Sequence, residues 1–70
     1  MAQLLFWDSI YGIVLALKAQ FPEEDLEEVS LQQVYEWTVA LPNFKDEPEL
    51  ANQDILSAIY QEWYEEINPI

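Results

Sequence analysis

Trp37-x3-Leu41-Pro42-x-Phe44-x-Asp46-Glu47-Pro48-x3-Asn52-x2-Ile55-Leu56-x-Ala58-Ile59-x3-Trp63-x-Glu65-Glu66 is the stretch of this chain whose spacing decides the fold. Pro42 cannot continue a helix, so the apolar positions before it close one element there. Asn52 is a strong helix N-cap residue, and Asp54 just after it suits the positive end of the helix dipole. Leu56, Ile59, Tyr60, Trp63 and Ile67 then recur at helical spacing, with Ile55 widening the face. Between the two helices runs an acid-acid-proline turn, Asp46-Glu47-Pro48, in which Asp46-x-x-Glu49 has the spacing to cap a short extra turn.

Working toward the N-terminus, Ser30-x-x-Gln33 is a capping box, and Val29 with Val34 has the spacing of the hydrophobic staple around it. Val34, Trp37, Thr38 and Leu41 form the apolar stripe that follows. Glu23–Glu28 holds five acids and one leucine. Its i,i+4 like-charge pairs oppose a long helix, so it reads as a turn anchored by Leu26. Earlier still, Asp8 or Ser9 is placed to cap a helix bearing Ile10, Ile13, Val14, Leu17 and Phe21, which Pro22 closes. Gly12 inside it costs about 1 kcal/mol against alanine, which points to a close approach at that position. Helices near residues 9–20, 31–41 and 52–66, with no strand-like alternation, predict an all-α, three-helix domain over residues 1–70. Trp37 and Trp63 are expected to be largely buried.

Seventy residues with no cysteine and no histidine leave neither disulfides nor a Cys/His metal staple to hold so short a chain. Three Trp, three Phe and four Tyr must supply the core. Each removes roughly 150–250 Å² from water, worth about 4–6 kcal/mol gross. Fourteen acids face two lysines, Lys18 and Lys45, giving a net charge of −12. That charge repels nucleic-acid phosphates and anionic lipids. The apolar runs are too short to span a bilayer, and the N-terminus lacks the features of a secretory signal. A monomeric, cytoplasmic protein is expected. Ser9, Ser30 and Ser57 have no histidine to activate them, so the residue types argue against an enzyme.

The carboxylates offer two candidate sites. Glu62, Glu65 and Glu66 stand at i, i+3 and i+4 near the end of the third helix, where the dipole disfavours negative charge. A sequence tuned only for stability would carry lysine there, so these acids read either as a solvated acidic helix end or as a recognition or cation patch. Asp46 and Glu47 form a second pair. Hard cations accept such oxygen ligands, but without calcium-loop spacing any site is weak and superficial.

Taken together with Trp7, Ile13, Ala16-Leu17, Phe21-Pro22 and Val29, the long motif resembles the IscX (YfhJ) family of small acidic proteins of bacterial iron–sulfur cluster assembly. The match runs from Trp7 to Glu66. The resemblance implies a helical fold related to the winged helix but lacking its DNA-reading charge. It also implies binding to the cysteine desulfurase of the assembly system, modulation of cluster formation, and weak ferrous iron binding with no tightly bound cofactor. The acids matching the family are Glu23, Asp25, Asp46, Glu47, Glu65 and Glu66. Asp46, Glu47, Glu65 and Glu66 are the metal candidates, and all six with Glu62 are the partner-binding candidates. Members usually carry acids along helix one, where this chain has Gly12, Leu15 and Ala19. They often carry further acids after helix two, where it has Asn43 and Lys45. Tyr11 and Leu15 are expected to widen the apolar face of helix one beneath Leu4-Leu5-Phe6. Rival readings are an iron donor and an acidic mimic of nucleic acid that binds a basic protein.

Overall fold

The computed structural model describes residues 4–68. Three α-helices build it: α1 (Ile10–Gln20), α2 (Leu31–Val39) and α3 (Gln53–Ile67). Single 3-10 turns at Leu26–Glu28 and Pro48–Leu50 punctuate the connections. The fold is therefore all-α, with no strand among the described residues.

The apolar stripes account for the packing. Ile13, Val14 and Leu17 of α1, Val34 of α2 and Ile59 of α3 are fully buried, and Trp63 is 1% exposed. α1 and α3 pack most extensively, while α2 lies on α3 and touches α1 less. The Phe21 ring stacks on Trp37 with centroids 4.4 Å apart, and Trp37 meets Trp63 edge-on at 6.1 Å. Trp37 is only partly buried, because it stands at the margin of this aromatic cluster rather than inside it.

Helix ends follow the local chemistry, with two differences. Ser30 Oγ accepts from the Gln33 N–H while the Gln33 side chain accepts from the Ser30 N–H, completing the capping box of α2. Asn52 Oδ1 accepts from the Ile55 N–H at 2.9 Å and caps α3. Leu26 is buried and anchors the acidic turn, as its isolation among carboxylates suggested. Pro22 has its expected effect, since Phe21 leaves the helical region at φ −129° and ψ 64°. Ser9, however, precedes α1 without a side-chain cap. α2 ends at Val39, so Leu41 is buried from the loop rather than from the helix.

Gly12 explains itself through a neighbour far from the helix pattern. A Cβ built there would lie 2.9 Å from Leu5 Cδ2, closer than carbon atoms tolerate. The N-terminal segment thus beds against α1 at the one position without a side chain. Leu5 is inside, whereas Leu4, Phe6, Tyr11 and Leu15 are exposed. Tyr11 and Leu15 therefore do not pack beneath the segment, and Leu5 fills the contact over Gly12.

Candidate docking surface

Leu5 forms an isolated parallel bridge with Phe44, donating to Asn43 O and accepting from the Lys45 N–H, both at 2.9 Å. One step on, the partner of the Trp7 N–H is a side chain: Asp46 Oδ2 accepts it at 3.0 Å. Asp46 Oδ1 accepts the Glu47 N–H at 2.8 Å, and the Trp7 indole Nε1–H donates to Glu47 O at 2.7 Å. Asp46 therefore does not cap the following 3-10 turn with Glu49, as its spacing suggested. Both its oxygens are turned toward the N-terminal segment and the local backbone. Trp7, 3% exposed, is fixed by these bonds and by two rings: Tyr35 stacked at 6.2 Å and Phe44 edge-on at 4.7 Å.

An open groove of about 600 Å³ lies beside Trp7. Ile10, Leu50, Ile55 and Ala58 line it together with Trp7, and Asp8, Asp46 and Asp54 stand in the same lining. Sequence spacing gave Asp8 and Asp54 only helix-end roles. Their sharing of one groove with Asp46 depends on the N-terminal segment meeting the Phe44–Pro48 turn, a contact with no local signature.

Six of the seven candidate acids fall into two groups, and Glu23 stands exposed outside them. Asp46 and Glu47 belong to the groove end, near the start of α3. Glu62, Glu65 and Glu66 lie at its other end. Residues 54 and 65 are about 16 Å apart along the axis at 1.5 Å per residue. Asp25 stands with this second group, lining a small cleft with Tyr64, Ile67 and Asn68. Glu23, Asp25, Glu47 and Glu65 are exposed, and Asp46, Glu62 and Glu66 are intermediate. Glu66 is engaged by Lys18 of α1 at 3.3 Å, and Glu65 accepts from the Gln61 amide on its own helix. Glu65 thus faces water, whereas Glu66 is half-buried and paired with α1. Among the described residues, no group of three or more carboxylates is placed to hold one metal ion. No helix among them is long and apolar enough to cross a membrane.

Fold and surface together define a small acidic three-helix protein with candidate carboxylates at both ends of α3. The family model for iron–sulphur cluster assembly matches residues 5–68. The chain also shares 34% identity over 62 residues with the Pseudomonas aeruginosa protein named uncharacterized protein PA3808, covering 89% of this chain and 94% of that one. This chain belongs to the iron–sulphur cluster assembly family, the IscX/YfhJ family.

Proposed function

We propose that this chain is an accessory protein of iron–sulfur cluster assembly that docks by its acidic surface onto a basic patch of the cysteine desulfurase and modulates cluster formation. The observation that carries the proposal is the solvent-facing charge of a family member matched over residues 5–68. Among its acids, Glu23, Asp25, Glu47 and Glu65 are all exposed. Lys18–Glu66 is the one ion pair among the described residues, so most of the carboxylate charge is left facing water. Opposite charge steers such an encounter and makes it sensitive to salt. Family membership makes a cluster-assembly protein the preferred partner over an unrelated basic protein that an acidic mimic would titrate.

Ferrous iron binding is the second part of the proposal. The adjacent pairs Asp46–Glu47 and Glu65–Glu66 are separated by most of the length of α3, so they offer two shallow sites rather than one. Hard, oxygen-only ligands of this kind give weak binding that competes with magnesium. This favours docking as the main role over iron donation.

A pull-down with purified pyridoxal-phosphate desulfurase tests the docking. Retention at low salt and release at high salt are expected; no retention at low salt defeats the proposal. Calorimetry with ferrous iron should show weak binding that fades with ionic strength. A single tight site preferring a soft metal such as Cu(I) would contradict the iron reading.

A further inference from the structure

We infer that the groove beside Trp7 is the anchor point of the docking surface and receives an arginine of the partner, carried on an apolar segment. This rests on the docking reading above and deepens it. The groove's chemistry selects the occupant. Trp7, Ile10, Leu50, Ile55 and Ala58 give it an apolar floor and walls, with Leu50 56% exposed and Ala58 also exposed. An exposed leucine on an open apolar groove is surface that association covers favourably.

Charge then narrows the choice. Asp8, Asp46 and Asp54 line the same groove, so anionic and purely apolar ligands meet three carboxylates. A bare metal ion needs oxygens converging on a point, and no three carboxylates among the described residues do so. Separated carboxylates around an apolar floor instead suit a cation on a hydrocarbon stem. A long basic side chain buries its methylenes and keeps its head at the rim. Arginine fits better than lysine, because its flat guanidinium presents five donors and pairs with several carboxylates at once. Asp46 is already oriented by the Trp7 and Glu47 N–H groups, so one acceptor stands in place before the partner arrives. The groove between Leu31, Tyr60 and Tyr64 has a single carboxylate, Glu65, in its lining and makes the weaker claim.

The test combines a small probe with the whole partner. The ¹⁵N-labelled chain is titrated with N-acetyl-Leu-Arg-amide and with the same dipeptide carrying citrulline, the uncharged isostere of arginine. The arginine probe should shift the Trp7 indole Nε1–H and the amides of Leu50, Ile55 and Ala58, and the citrulline probe should not. Ala58→Trp fills the groove from an exposed position, and its fold is checked by circular dichroism. It should abolish the probe shifts and lower affinity for the desulfurase at least tenfold. Asp54→Asn, which alters charge without bulk, should lower that affinity about threefold. Probe shifts as strong over residues 23–28 and 65–66 as at the groove would overturn the inference. So would parent-like desulfurase affinity of Ala58→Trp and Asp54→Asn. Should the parent chain not bind desulfurase at all, the docking reading fails, and the probe titration alone then decides whether the groove takes arginine.

Discussion

Asp46 shows how one side chain serves a fold and stands in a candidate site at once. Its two oxygens accept the Trp7 and Glu47 N–H groups, tying the N-terminal segment to a turn 39 residues away. Removing the acceptor leaves a part-buried N–H without its partner, a loss worth about 1–3 kcal/mol. Asp46→Ala should therefore destabilise the chain by about 2 kcal/mol in urea unfolding, with Asp46→Asn losing less because its amide oxygen still accepts one bond. A change below a few tenths of a kcal/mol for Asp46→Ala would show that the segment is held by packing alone. Gly12 carries a second prediction at this scale. Alanine gains about 1 kcal/mol of helix propensity but pushes on the movable end of Leu5, so Gly12→Ala alone should be near neutral. In a Leu5→Ala background the same change should stabilise by about 1 kcal/mol. Equal effects in the two backgrounds would remove Leu5 as the reason for the glycine.

The helices themselves report local rules. Ser30→Ala breaks the capping box of α2 and should cost about 1 kcal/mol, as should Asn52→Ala at α3. Thermal unfolding of the two variants checks both values. At the other end of α3 the two adjacent glutamates should behave differently. Glu65→Lys places a cation near the negative end of the dipole and should stabilise by a few tenths of a kcal/mol. Glu66→Lys removes the partner of Lys18 and sets two ammonium groups together, which cancels that gain. Identical unfolding midpoints for these two variants would refute the distinction. Periodicity and caps made the helices legible in the sequence because both arise within four residues. Leu26 and Gly12 were legible for the same reason: one apolar residue among acids, one glycine inside a helix. The Leu5–Phe44 bridge, the Asp46–Trp7 bond and the gathering of Asp8, Asp46 and Asp54 were not. They join residues about 40 positions apart and leave no pattern in a single chain. The candidate carboxylates and their division between the start and the end of α3 were legible too, but the placing of Asp25 beside the α3 terminus was not.

Over the whole molecule, charge dominates behaviour in solution. A net charge of −12 on 70 residues gives the surface a field that reaches about 8–10 Å at ordinary ionic strength. Association with a basic partner should therefore be fast at low salt and fall steeply as salt rises, with most of the change in the association rate. α1 differs from the rest of the chain: it has no acid, one lysine, and exposed Tyr11 and Leu15. Attraction of a basic partner thus acts through the other faces, led by those around α3. The most direct test measures association kinetics between this chain and the cysteine desulfurase across a series of salt concentrations, for the parent and for Glu65→Lys. The docking account predicts a parent rate that drops at least tenfold between 50 and 200 mM salt, in the range of electrostatically steered encounters, and a slower variant that converges on the parent at high salt. A rate independent of salt, or no association at the lowest concentration, would contradict it.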